Sequence, residues 1–194
     1  MKKINNQLTL LFIVITTIIS CKAQTLPLNT ALDNITLNSY LKDLDNELTP
    51  YIGTYQSNVN GNQITLFISK QDHTYMSSSK YKYYQDILIV RYTIKNSVGV
   101  TLQSTQNVNF INTTDKNLIH SISTRPNQNI VVLDYNGTNC EIGNGTIYLK
   151  MLNATQISWR YYAETVATSH DRCPPNVDKN IYLPEGENLI FTKQ

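Results

Sequence analysis

The sequence predicts a mainly β protein: an antiparallel meander closing into a barrel or a sandwich, preceded by a short N-terminal helix. Three observations carry this expectation. After Pro50, apolar and polar residues alternate through at least five separate segments, which places one row of side chains on one face of each strand. Asn-Gly pairs and Gly-rich breaks separate the segments at short intervals, as tight hairpin turns require. Between Leu37 and Leu48 the apolar period is instead helical.

The helix is expected first. Leu37, Tyr40, Leu41, Leu44 and Leu48 form one stripe, and Pro50 ends it, because proline cannot continue the hydrogen-bond ladder. The strands follow. Ile64, Leu66 and Ile68 form the first core-facing row, then Leu88, Val90, Tyr92 and Ile94. Val131, Leu133 and Tyr135 come next, then Ile147, Leu149 and Met151, and last Ile157, Trp159 and Tyr161. The breaks are Asn60–Gly61, Asn96–Ser97–Val98–Gly99, Asn136–Gly137, Gly143–Asn144–Gly145 and Pro184–Glu185–Gly186. Eight to ten strands in such succession read as an antiparallel meander closing into a barrel or a sandwich. Thr165 to Lys179, with Pro174–Pro175, is the longest irregular stretch.

The amino terminus reads as an export signal. Met1, Lys2 and Lys3 precede an apolar run from Leu8 to Ile19, a basic region followed by an apolar one too short for the roughly 20 residues of a membrane span. Ile18–Ile19–Ser20–Cys21 then resembles the bacterial lipobox. The resemblance implies a diacylated Cys21 thiol, cleavage before it and acylation of the new amino terminus, a durable membrane anchor. Lys22 stands where an Asp would resemble an inner-membrane retention signal, which favours the outer membrane of a bacterial cell envelope. Cleavage after Ala23 is the alternative and would leave the chain secreted or periplasmic. The organisation expected is a signal peptide over 1–20, a lipid-anchored tether over 21–34 and a single β-rich domain over 35–194.

Setting Cys21 aside leaves Cys140 and Cys173, an even pair in an oxidising compartment. A disulfide between them would stabilise the fold by about 3–4 kcal/mol; two buried free thiols are the other reading. The leader holds two of the 16 Lys and Arg and none of the 14 Asp and Glu, so the mature chain balances at 14 of each. Nothing in that balance suggests a nucleic-acid partner, which needs a clustered basic face.

Pro50–Tyr51–Ile52–Gly53–Thr54–Tyr55 resembles the opening of lipocalin-like barrels, in which a Gly-x-Trp begins the first strand and an arginine lies over the indole. Here the aromatic is Tyr55, and Arg91 or Arg160 is the expected cation. Across the chain, Cys21–Lys22–Ala23–Gln24, "YIGTYQS", "ITLFISK", "YYQDILIVRYTIKNSV" and "ENLIFTKQ" resemble a family of small flavobacterial-type lipoproteins classed as a domain of unknown function. In that family the first-strand motif is usually Gly-Thr-Trp, from which Tyr55 departs. The resemblance implies export and a β-rich fold, and it carries no catalytic residue.

Signatures of catalysis and metal binding are weak. His73, His120 and His170 stand far apart, and none belongs to a His-Glu-x-x-His pattern. His170 with Cys173 is the nearest approach to a metal pair, and a disulfide would consume that thiol. No Gly-x-Ser-x-Gly elbow is present. Asp171 beside His170 points the other way on an extended segment, and Glu185 and Glu187 flank Gly186 in a turn. The expectation is therefore no enzyme, no cofactor and no metal, with a non-motif envelope hydrolase as the alternative. Tyrosines are the richer signal: Tyr75, Tyr81, Tyr83, Tyr84 and Tyr92 interleave with Lys80 and Lys82, and Tyr162 follows Tyr161. Aromatic faces with polar tips suit stacking on ligands or partners. A barrel of about eight strands can hold a pocket. The expectation is an envelope binding or structural module, with Tyr55, Tyr92, Trp159 and Tyr161 lining a site for a small apolar or aromatic ligand, or an envelope protein as partner.

Overall fold

Asn60 and Gly61 take φ values of 52° and 79°, the left-handed pair of a two-residue hairpin. They fold Gly53–Val59 (β3) back on Asn62–Ser77 (β4), in register from Gly53↔Ile68 to Val59↔Asn62. In the computed structural model, which describes residues 24–78, 80–164 and 173–194, this hairpin begins a closed meander. β4 pairs along its length with Lys82–Lys95 (β5). Thr101–Ser104 (β6) then lies beside the end of β5. Ile119–Arg125 (β7) follows, and then Ile130–Tyr135 (β8), Gly145–Asn153 (β9), Gln156–Tyr161 (β10) and Gly186–Lys193 (β11), each of these four antiparallel to the one before.

Two short contacts close the circle. β11 meets β3 through Thr192↔Gln56 and Lys193↔Tyr55, and β7 meets β5 through Ile89↔His120 and Val90↔Ile119. The result is an eight-stranded antiparallel barrel of β3, β4, β5, β7, β8, β9, β10 and β11. Closure removes the open edges that sheets otherwise present. The five rows expected from alternation all face the interior, joined by Tyr55 and Phe191; Met151 is half-buried at the rim.

β4 and β5 outrun the barrel. β3 ends its pairing at Ile68, while β4 continues with β5 to Ser77↔Lys82, stepping through a bulge between Gln71 and Thr74. Two short parallel strands extend this projecting sheet: Tyr40–Lys42 (β2) beside β5, and Thr25–Pro27 (β1) beside β2.

The helix expected between Leu37 and Leu48 does not form. Asn38 and Asn46 adopt left-handed φ values of 61° and 57°, which a right-handed helix cannot contain. The backbone of Tyr40–Lys42 bonds instead to its neighbouring strands. Only Leu41 and Leu48 of the supposed stripe are buried, whereas Leu37 and Leu44 are exposed. From Thr25 onward the chain is docked: Leu28 is buried in the main core, and the Asn29 carboxamide accepts from the Thr124 N–H at 3.1 Å and donates to Glu47 Oε2 at 2.8 Å. Cys21, His170 and Asp171 lie outside the described residues.

At the end away from the projecting sheet, Cys140 and Cys173 form a disulfide, Cα–Cα 5.4 Å, across a separation of 33 residues. Gly137 makes the neighbouring corner possible. Its φ is +76°, and a Cβ there would stand 2.5 Å from the Glu141 carbonyl oxygen. Thr138 N–H closes the corner by donating to the Ile142 carbonyl at 2.8 Å.

Candidate functional site

Three places concentrate side chains with functional chemistry: the barrel interior, a charged cluster at the base of the projecting sheet, and a groove on the outer face of β4 and β5. The interior holds the four residues expected to line a ligand site. Tyr55, Tyr92 and Trp159 are fully buried, and Tyr161 is 1% exposed. They pack on one another and on their neighbours. Trp159 meets Tyr161 edge-on at 6.3 Å and Phe191 at 5.9 Å, and Tyr161 meets Tyr135 edge-on at 6.1 Å. Their polar tips are sealed at the disulfide end. Trp159 Nε1 donates to the Pro184 carbonyl at 3.0 Å, Tyr92 donates to Gln103 Oε1 at 2.8 Å, and Tyr161 donates to the Gly143 carbonyl. Burial pushes the Tyr92 and Tyr161 phenols well above their ordinary range. Only the Tyr55 hydroxyl, among these polar tips, has no partner. Side chains thus fill the space a ligand would need.

A cation does lie over Tyr55, but it is Lys193, its ammonium 5.6 Å from the ring centre. Neither Arg91 nor Arg160 can serve. Each follows or precedes an inward residue, Tyr92 or Trp159, so strand alternation turns it outward. Arg91 sits over Phe110 at 5.4 Å and Arg160 over Tyr148 at 4.2 Å. Gly53 makes room for the lysine: a Cβ there would approach Lys193 Cε to 2.6 Å.

The charged cluster joins three elements. The bulge gives His73 a φ of 53° and aims its N–H at Asp86 Oδ1, 3.0 Å away. Tyr40 of β2 donates its hydroxyl to the same oxygen, and the Asp43 N–H donates to Asp86 Oδ2 at 3.0 Å. Lys70 reaches Asp43 at 3.3 Å, Asp72 at 3.3 Å and Asp86 at 3.7 Å. Asp43 in turn accepts from the Glu47 and Leu48 N–H groups at 2.7 and 3.2 Å. Burial alone would push the Asp86 carboxyl up; the Tyr40 hydroxyl, the two N–H donors and the Lys70 ammonium outweigh it and hold the group below the usual carboxylate range. His73 stacks on Tyr84 at 4.1 Å and meets Tyr40 edge-on at 4.7 Å. Both Asp86 oxygens are taken by donors within the protein, so the cluster fastens β2 to the β4–β5 sheet.

The groove is open to solvent. It encloses about 430 Å³ between the outer face of β4–β5 and the loop before β7. Ile87, Ile89 and Leu118 form its floor, Phe110 and Tyr75 its aromatic walls, and Thr74 and Asn112 part of its rim. No Lys, Arg, Asp or Glu lines it, and His73 joins its polar rim. The loop is held in place from several sides. Asp115 Oδ2 accepts from the Ile111 and Asn112 N–H groups at 2.7 and 3.1 Å, and the Asn136 amide donates to the Thr113 and Asp115 carbonyls, each at 2.8 Å. The Thr74 hydroxyl is buried beside the groove without a partner. None of Tyr55, Tyr92, Trp159 and Tyr161 lines this groove.

Of the two described histidines, His73 is exposed in the bulge and His120 is buried on β7. Burial lowers the His120 pKa, partly offset by Asp134. Glu185 accepts from the Ala163 N–H at 2.7 Å. Among the described residues, no group of three or more His, Cys, Asp or Glu is placed to share a metal ion. Local sequence held little trace of the charged cluster, since Tyr40, Asp43, Lys70 and Asp86 come from separate segments. The polar run Lys70–Gln71–Asp72–His73, interrupting the alternation of β4, was its one visible sign.

Fold and site define a closed β-barrel with a filled interior, a disulfide at one end and a projecting sheet at the other. The chain belongs to the family of unknown function DUF6705, whose model matches residues 1–194. Neither the curated proteins nor the solved structures contain a match to it.

Proposed function

We propose that this protein is an exported lipoprotein, acylated on Cys21 and held at the bacterial outer membrane, whose barrel is a rigid module that binds or braces through its outer surface. The observation that carries this reading is the filled interior: the aromatic side chains that could have lined a pocket pack against one another instead. The lipobox-like Ile18–Ile19–Ser20–Cys21 supports the anchor, and the Cys140–Cys173 bridge suits an oxidising compartment. The binding face on this reading is the outer groove, whose apolar floor and aromatic walls under a polar rim free of Lys, Arg, Asp and Glu suit a small apolar or aromatic ligand with a few polar groups, or a segment of an envelope protein.

Trp159 is the single tryptophan and lies inside the barrel, so its emission reports on the interior. Titration with oleate, which does not absorb tryptophan emission, should leave that emission unchanged. A saturable shift at one ligand per protein would overturn the filled-barrel reading. Mass spectrometry of the mature amino terminus tests the anchor: Cys21 carrying acyl chains is expected, and an unmodified Gln24 terminus would refute it.

A further inference from the structure

The short distance from Cys21 to the first docked residue has a geometric consequence, which rests on the lipoprotein reading above. β1 runs parallel to β2, with Thr25 opposite Tyr40, and β2 runs parallel to β5, with Tyr40 opposite Tyr84. The chain therefore approaches Thr25 from the side on which the β4–β5 hairpin ends. Cys21 stands four positions before Thr25, and Lys80 stands four positions before Tyr84. At no more than about 3.3–3.6 Å per residue, a taut tether and the hairpin tip reach the same level, roughly 13 Å beyond Thr25.

The surface at that level has interfacial character. Leu37 is 71% exposed. The turn that carries it lies against the tip, with Ile35, Thr36, Leu37, Lys80, Tyr81 and Lys82 lining one shallow depression and the Asn38 N–H bonded to the Lys82 carbonyl at 2.9 Å. Lys80 lies over the Tyr81 ring at 4.8 Å. Asp33 is the acidic group facing them, accepting from the Tyr81 hydroxyl at 2.9 Å and lying 3.6 Å from the Lys80 ammonium; it offsets one of the two lysine charges. Tyrosine favours the boundary between apolar and wet layers, and each lysine near an anionic leaflet adds attraction within a Debye length.

We propose that the β4–β5 tip and the Ile35–Leu37 turn are a second membrane contact. Leu37 and Tyr81 enter the headgroup layer, Lys80 and Lys82 meet anionic lipid, and the acylated barrel stands on the bilayer with its disulfide end outward. The test uses the acylated protein in vesicles of phosphatidylethanolamine and phosphatidylglycerol, with lysine acetylation rates mapped by mass spectrometry. Lys80 and Lys82 should react several-fold more slowly than in the unacylated Cys21→Ser protein in solution, while Lys95 and Lys116, at the opposite end, react equally in both. Equal rates at Lys80 and Lys82 in a sample whose amino terminus is shown to be acylated would overturn the contact and leave the anchor standing. An unacylated terminus would overturn both. Protection undiminished on phosphatidylcholine alone would overturn the part given to lysine charge.

Discussion

Asp86 is 1% exposed, yet it is held ionised by a hydroxyl, two backbone N–H groups and a lysine. Such a carboxylate is costly to bury and costlier to leave unmatched. Asp86→Asn removes the charge facing Lys70 and points an amide N–H2 at groups that are themselves donors. The expected loss is about 3 kcal/mol, read as a lower midpoint of urea unfolding followed by Trp159 emission. The pH dependence has a defined sign. The native pKa of Asp86 lies below its ordinary value, so its contribution is fully present above the unfolded pKa of about 3.9 and is lost as pH falls through the native value. The gap between the two proteins should therefore be wide at neutral pH and close at strongly acidic pH. A gap that stayed constant through the acid range would mean that shape, and not charge, does the fastening.

The strand elements were legible because each has one buried face, and burial on one face writes period two into the sequence. Leu88, Val90, Tyr92 and Ile94 needed no tertiary knowledge to be placed. The segment from Leu37 to Leu48 misled because its leucines answer to different partners: Leu48 belongs to the barrel core, while Leu37 and Leu44 face solvent. Two left-handed asparagines break the helix there, and asparagine carries no local mark of which basin it will take. The groove was illegible for a related reason. Its floor is the outer face of β5 and its wall a loop without periodicity, so only the closure of β7 onto β5 brings them together. Turn glycines were legible in kind but not in importance. Gly61 and Gly137 both follow asparagine and both have positive φ, but a Cβ at Gly61 meets nothing within 4 Å, whereas one at Gly137 strikes the Glu141 backbone. Gly61→Ala should cost about 1 kcal/mol from the left-handed backbone alone. Gly137→Ala should cost about 2–4 kcal/mol, because the Glu141 corner must move as well. Equal midpoints for the two variants in thermal unfolding would show that the corner yields freely.

At the scale of the molecule, the barrel has a strong body and a dependent end. β4 and β5 pair continuously except at one bulge, but the interior tips of Trp159 and Tyr161 are sealed by segments outside the strands, Leu183–Pro184 and Gly143. The Cys140–Cys173 bridge binds the corner after β8 to the segment that leads to Pro184. Its effect can fall on either state. If it acts by shrinking the unfolded ensemble, the Cys140→Ser/Cys173→Ser protein should lose about 3–4 kcal/mol, as a loop of 33 residues implies, while its native Trp159 emission stays that of the parent. If the bridge instead holds the Pro184 cap against the indole, emission shifts in native buffer before any denaturant is added. The first outcome is expected, because Leu183 is buried in the main core and the indole N–H keeps its acceptor through that burial as well as through the disulfide. A native-state shift would mean that the cap depends on redox state, and that reduction alone opens the end of the barrel that faces away from the projecting sheet.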